Sequence, residues 1–291
     1  MSEFTNLDQI DIKNKKVFLR VDFNVPLNDG KITSDLRILE AIPTIKLLLN
    51  KGASVIIGSH LGRPKGEIIP ELSISPIASS LKQHLKLANI TVASDVIGES
   101  ANSLSMKLLP GDVMFIENLR FESGEETNDL EMARVLASMA DIFVNDAFSC
   151  SHRAHASVLA ITSFLPSVAG LSMQKEIDML NKVLKNPIKP VTSIVGGSKI
   201  STKLEILEHL IEKVDHMIIG GAMANTLLYA RGYSVGKSLF ESDMLETAKN
   251  ILKEAKLKSC SILLPKDVMV AVDLENKEGI ETVAVDRVPK E

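Results

Sequence analysis

The 291-residue sequence has no tryptophan, two tyrosines and only two cysteines. Cys150 and Cys260 stand far apart, and no zinc-type or redox-type spacing surrounds either one. They read as two free thiols in a reducing compartment. A basic surplus is also lacking. The 33 Lys and Arg residues face 37 Asp and Glu, leaving a net charge of -4. That argues against a general nucleic-acid binder but leaves room for a local basic pocket. No apolar run approaches the roughly 20 residues of a membrane span. The polar N-terminus MSEFTNLDQI does not read as a signal peptide. A cytoplasmic location is the expectation. Neither a P-loop nor GxGxxG occurs, which counts against a nicotinamide-dependent oxidoreductase.

What is present is a repeating alternation. Short apolar runs close on Gly, Pro, Asn, Asp or Glu at Val17–Val25, Ser54–Gly58, Val113–Glu117, Ile142–Asp146, Val191–Gly196, Met217–Gly221 and Ser261–Pro265. Several are apolar throughout, as strands buried on both faces are. Helical stripes lie between them over Ser34–Asn50, Leu130–Ala140 and Ser201–Val214. Strand and helix in alternation predict an α/β fold with parallel sheets. The length suits about two domains. The proline-bounded stretch at 165–190, with one helical pattern at Met173–Leu184, suits a connector between two sheets. An ordinary crossover helix within one large sheet is the alternative. The second half offers only about three strands, where such sheets usually have about five or six. Either that domain is small or the chain is cut.

Ligands of open α/β sheets bind beyond the carboxyl ends of the strands. Those ends carry RVDFNVP with Arg20, Asp22 and Asn24, then GSHLGRPKG with His60, Arg63 and Lys65. They continue with IENLRF, holding Glu117, Asn118 and Arg120, and NDAFSCSHRAHAS, holding Asp146, His152, Arg153 and His155. Taken singly, each has an ordinary reading. An arginine after a strand is usually a surface residue, Asx residues form turns, and His155 is better read as a satisfied structural histidine than as a catalyst. Four strand ends supplying Arg or His, joined by Arg37 at a helix start, form a different object. It is a cluster fit for a small, highly anionic molecule, because guanidinium groups fork onto phosphate and carboxylate oxygens.

In the second half, VGGSKISTKLEIL sets Gly196 and Gly197 after a strand, with Lys199 and Lys203 at the expected start of a helix. Glycine permits close backbone approach to a phosphate, and a helix N-terminus favours an anion. A spacing of four would put both lysines on one helical face. The next strand ends MIIGGAMANTLL, a second Gly pair that includes Gly221. An anion grip in one half and a nucleotide grip in the other point to phosphoryl transfer, which needs positioning and cations rather than a nucleophilic side chain.

The motifs RVDFNVP, SHLGRP, ENLRF, NDAFSCSHRAHAS, GGSK and GGAMANT, followed by LPKDVMVA and DRVPKE, closely resemble those of phosphoglycerate kinases in order and spacing. The resemblance implies two Rossmann-like three-layer α/β/α domains with mostly parallel sheets, the second incomplete. The implied boundaries are 1–168 for a phosphoglycerate-binding domain, 169–186 for a hinge helix and 187–291 for a partial nucleotide-binding domain. It implies reversible phosphoryl transfer between 1,3-bisphosphoglycerate and ADP, giving 3-phosphoglycerate and ATP, with Mg²⁺ on the nucleotide. Asp22, Phe23, Asn24, Arg37, His60, Leu61, Gly62, Arg63, Arg120 and Arg153 would hold the phosphoglycerate. Gly196, Gly197, Lys199, Lys203 and Gly221 would line the nucleotide side, and Arg37, Lys199 and Lys203 would act on the transferred group. No protein metal site, nucleic acid or membrane is implied, and a monomer is expected.

Two departures from the family pattern stand out. Ser149, Cys150 and Ser151 occupy positions where small residues are common. The family's later acidic residue and GGGDS or GGGDT loop do not follow Glu291. The expectation is therefore a C-terminally shortened chain, with a remnant that binds 3-phosphoglycerate without transferring as the alternative to an active kinase.

Overall fold

The computed structural model describes residues 6–86, 90–185, 187–273 and 279–290. Two compact units divide at Met179 and Leu180. The first contains β1 (Lys16–Arg20), the hairpin strands β2 (Leu27–Asn28) and β3 (Lys31–Ile32), α1 (Leu36–Asn50), β4 (Ser54–Gly58), α2 (Ser75–Leu85) and β5 (Thr91–Val92). It continues with α3 (Glu99–Lys107), β6 (Val113–Phe115), α4 (Ser123–Glu126), α5 (Leu130–Ser138), β7 (Ile142–Asn145), β8 (Ser167–Ala169) and most of α6 (Leu171–Leu184). Six strands pair in the order β5-β6-β4-β1-β7-β8, and all five ladders are parallel.

The pleat splits each central strand between two cores. Val17, Leu19, Val55 and Ile57 face one side, with Ile38, Ile45 and Leu48 of α1 packed over them. Phe18, Ile56, Met114 and Phe143 face the other, under Ala133 and Leu136 of α5. Helices thus cover both faces, which is why these strands read as unbroken apolar runs. The expected strand at 17–25 stops at Arg20. Val21 N–H still reaches Gly58 O at 3.1 Å, but Phe23 N–H turns to the Ser59 hydroxyl at 2.9 Å. Side-chain bonds replace the ladder there.

The connector pattern forms α6, and the division between the units falls inside that helix. Residue 186, the last of the expected hinge, lies outside the described residues. The helix starts on Asp146, whose Oδ1 accepts from the N–H groups of Ser172 at 2.9 Å and Met173 at 3.1 Å.

The second unit contains β9 (Thr192–Gly196), α7 (Leu204–Ile211), β10 (His216–Gly220), α8 (Ala222–Ala230), α9 (Leu245–Leu257), β11 (Ser261–Leu263), β12 (Asp267–Val270) and β13 (Glu281–Ala284). A parallel sheet runs β11-β10-β9, and β12 and β13 form a separate antiparallel ribbon. Met217, Ile219 and Ile262 pack under Leu207, Leu227 and Ile251. On the opposite face, Ile194, Ile218 and Leu263 lie in register across the three strands, and all three are exposed. Only one face of this sheet is covered among the described residues.

Candidate active site

In the first unit, the strand-end residues do gather. Asp22 follows β1, and its carboxylate accepts from Arg37 in the first turn of α1 and from the Ser149 hydroxyl. Asn24 Oδ1 accepts the Gly62 N–H at 2.9 Å. Gly62 has φ +63°, and a Cβ there would meet Leu72 at 2.8 Å, so this turn requires glycine. The Gly62 carbonyl accepts from Arg120 at 2.7 Å. The Asn118 side chain brackets Leu61, taking its N–H at 3.1 Å and donating to its carbonyl at 2.7 Å. These bonds make one connected frame from β1, β4 and β6.

Within that frame, the predicted residues separate by environment. His60 and Arg120 are buried, each about 4% exposed. Phe23 and Leu61 bury their side chains in the core, leaving only main chain to offer a ligand. Arg63 and Arg153 are exposed, and Arg153 donates to His152 at 3.2 Å. Arg37 is half-exposed beside Asp22. A cavity of about 190 Å³ lies beside Asp22 and Arg37, the two predicted site residues in its lining, which also takes in Glu40, Asp146, Ser149 and Glu176. The exposed guanidinium groups are the ones a soluble anion would meet first.

Electrostatics follow from the same contacts. Burial, with Arg20 and Arg120 adding repulsion, pushes the His60 imidazole down to about 3. It is therefore neutral across ordinary pH. For Asp22, burial pushes the carboxyl up, but the Ser149 hydroxyl, His60, the Asn24 N–H and Arg37 outweigh it and hold the group below its usual range. Burial lowers Arg120, with Arg153 and Arg20 adding repulsion and Glu126 opposing. Asp22, His60 and Cys150 each bring a donor atom within 4.8 Å of the others. Arg20 already lies on the His60 Nδ1 lone pair, at 3.2 Å, so a guanidinium holds the place a cation would need.

Sequence reasoning named Arg20 but missed the layer it forms behind His60. Arg20, Glu125 and Ser157 are at most about 1% exposed. Arg20 Nε donates to Ser157 Oγ at 2.9 Å, and Ser157 gives Glu125 its hydroxyl at 2.6 Å and its N–H at 2.9 Å. His155 is buried as expected of a structural histidine, but its Nδ1 stands 3.6 Å from the same carboxylate and makes no hydrogen bond. Glu125 precedes Ser157 by 32 residues, so no local spacing announces the pair.

The second unit needs a correction. Lys199 lies in the loop after β9, and Lys203 closes the turn of residues 201–203 that precedes α7. The two lysines therefore do not share a helical face. The cause is Glu241, whose carboxylate takes the N–H groups of Ile200 at 2.5 Å and Ser201 at 3.2 Å and the Ser201 hydroxyl at 2.5 Å. That grip holds the entry to the turn at 201–203, and the helix begins only at Leu204. Lys203 instead lies over Gly197, where a Cβ would come 3.0 Å from its Cε. Gly221 has φ +68°, and a Cβ on it would sit 2.7 Å from the Gly197 carbonyl. The two Gly pairs thus touch backbone to backbone, with Met223 N–H on Gly197 O at 3.0 Å. Gly196, at the end of β9, is open on its side-chain side. A cavity of about 300 Å³ begins at Gly221 and is lined by Leu228, Val235, Val268 and Val285 among others.

Comparison with known proteins completes the picture. The family model for phosphoglycerate kinase matches residues 7–291. The phosphoglycerate kinase of Pelotomaculum thermopropionicum is 48% identical over 282 residues, covering 97% of this chain and 72% of that protein. The solved phosphoglycerate kinase of Coxiella burnetii superposes with a TM-score of 0.85 at 40% identity, covering 98% of this chain and 72% of that one. That of Pyrococcus horikoshii gives 0.80 at 31% identity, covering 96% and 70%. With the motifs, the fold and a match over nearly its whole length in agreement, the chain belongs to the phosphoglycerate kinase family.

Proposed function

We infer that the chain is a phosphoglycerate kinase, a phosphotransferase of glycolysis that moves a phosphoryl group reversibly between 1,3-bisphosphoglycerate and ADP. The single observation that carries the reading is the family match over residues 7–291. The frame around Asp22, Asn24, Gly62 and Arg120 adds support. Asp22, Asn24, Arg37, His60, Arg63, Arg120 and Arg153 are the side chains assigned to the phosphoglycerate, with Phe23, Leu61 and Gly62 contributing backbone. Half-exposed Arg37 and exposed Arg63 and Arg153 meet phosphate and carboxylate oxygens.

Gly196, Gly197, Lys199, Lys203 and Gly221 are assigned to the nucleotide. The cavity beginning at Gly221 offers a base the aliphatic side chains of Leu228, Val235, Val268 and Val285 beside the polar Asn225 and Ser238. Phosphoryl transfer asks mainly for alignment and charge neutralisation, so Arg37, Lys199 and Lys203 are the catalytic cations. Mg²⁺ enters as part of the Mg²⁺–nucleotide substrate. The nucleotide turns offer backbone N–H groups and lysines, and Glu241 is engaged by Ile200 and Ser201, so the ion rides on phosphate oxygens. We infer a cytoplasmic monomer; the net charge of -4 speaks against a general nucleic-acid binder, and no described helix is long and apolar enough to cross a membrane.

A coupled assay with Mg²⁺-ATP and 3-phosphoglycerate tests the reading. Turnover that depends on both substrates is expected. Binding of 3-phosphoglycerate by calorimetry without any turnover would overturn the assignment of transfer, and no binding would overturn the assignment of the arginine cluster.

A further inference from the structure

We propose that Arg20, held from behind by Glu125 and Ser157, is a positioning residue that locks His60 with a bare Nδ1 and its proton on Nε2, so that the ring meets the phosphoglycerate as a neutral N–H donor. The assignment of His60 to the substrate rests on the function proposed above. The tautomer itself does not.

A guanidinium has five donors and no acceptor, and it does not deprotonate in a protein. Arg20 NH2 lies 3.2 Å from His60 Nδ1. Whatever faces a guanidinium N–H at that distance must present a lone pair, so Nδ1 carries no proton. A neutral imidazole then has its one proton on Nε2. Cys150 Sγ, 3.9 Å from the same nitrogen, does not alter this. It can share the lone pair as a donor, but it cannot give Arg20 anything to bond to.

The guanidinium is itself immobilised. Nε is bonded to Ser157 Oγ at 2.9 Å, NH1 donates to the Val21 carbonyl, and NH2 is also 3.8 Å from Glu125 Oε1. Three of its directions are fixed by groups with almost no exposure, leaving the His60 contact as a consequence of the frame. A lysine could not reproduce it, because an ammonium lacks the planar fork.

The charged and titratable groups around the ring decide its protonation. Arg20 follows from β1 and Arg120 from the turn after β6, and both oppose a second positive charge. Asp22 and Glu125 favour one, and Cys150 approaches from the loop after β7. Burial adds to the arginines, and the balance keeps the ring neutral. His60 thus contributes direction in a pocket whose charge comes from arginine.

The test is spectroscopic and needs no ligand. In protein labelled with ¹⁵N-histidine, the His60 signals are identified by their loss in His60→Gln. The expected pattern is an unprotonated Nδ1 and a protonated Nε2, unchanged from pH 5 to 8. A proton on Nδ1, or titration of His60 within that range, would overturn the proposal. In Arg20→Met the Nδ1 lone pair loses its donor, so part of the His60 population should carry its proton on Nδ1, and KM for 3-phosphoglycerate should rise at least about twofold because only the remaining fraction presents Nε2–H, with a smaller change in kcat. An unchanged His60 pattern in that variant would equally overturn it. If Arg20→Met fails to fold, the charge-neutral double variant Arg20→Met, Glu125→Gln carries the same readout. Absence of 3-phosphoglycerate binding by a native protein that shows the expected spectrum would instead sink the substrate assignment.

Discussion

Glu125 is fully buried yet surrounded by donors, and its energetics are set by that. Burial pushes its carboxyl up, but His155, the Arg20 charge and the Ser157 hydroxyl and N–H outweigh it, holding the group below its ordinary range. Removing one partner of a buried ion pair strands the other, at about 3–5 kcal/mol. Glu125→Ala should lose about that much stability, read as a lowered denaturation midpoint with an unchanged m-value. His60 gives the molecule a pH dependence. Its folded value is about 3, against about 6.5 for an unfolded histidine. The unfolded chain therefore takes up the proton first, and stability falls as pH drops from about 6.5 toward 3. A series of midpoints over that window should decline in the native protein and decline less steeply in His60→Gln. Identical slopes between pH 6.5 and 4.5 would contradict the His60 environment. At this scale the sequence announced Asp22 and Arg120, because each follows a recognisable strand, and Arg37, because it opens a helical stripe. It hid Arg20's partners, because a contact between residues 137 apart has no spacing to read.

At the scale of elements, glycine and capping contacts set where strands stop and helices begin. Gly221 is the sharpest case, since it combines positive φ with the Gly197 carbonyl where its Cβ would be. Backbone cannot swing aside as a side chain can. Gly221→Ala should weaken binding of an ATP analogue at least about tenfold, through strain of about 1–3 kcal/mol, and leave 3-phosphoglycerate affinity unchanged. Calorimetry with each ligand distinguishes the two. Asp146 plays the corresponding part for α6, and Asp146→Ala should cost about 0.5–2 kcal/mol as the loss of a cap, read from thermal unfolding. The longer strands and the helical pattern at Met173–Leu184 were legible because apolar period and punctuation agree there. The start of α7 was not. A Lys-x-x-x-Lys spacing mimics a helical face, and the competing bond comes from Glu241, about forty residues later. Helix entry was decided by a tertiary contact that outcompeted local pattern.

At the scale of the whole molecule, the two sheets differ in protection. The first has a core on each face, whereas the second buries one face and exposes the row Ile194, Ile218 and Leu263. Fewer buried contacts around a ladder mean a lower local opening free energy. Amides of 187–291 should therefore exchange faster than those of 1–165, as read by mass spectrometry of pulse-labelled peptides. Equal protection would contradict the unequal cover. The unbroken apolar runs foretold the four inner strands of the first sheet, whereas the edge strands β5 and β8 are two and three residues long and offer no run to read, β8 lying inside the stretch expected to be a connector. In the second, β10 alternates between buried and exposed positions, a pattern that five residues containing Met, Ile and Ile cannot display in their letters.

That exposed row also makes the protein a colloid with a weak point. Near its pI of about 5.9, the repulsion that keeps copies apart falls away. Three aliphatic side chains on a sheet whose outer strands, among the described residues, pair on one side only are then free to find their like. Light scattering should rise as the solution is brought to that pH, and a lysine at Ile218, the middle of the row, should restore clarity.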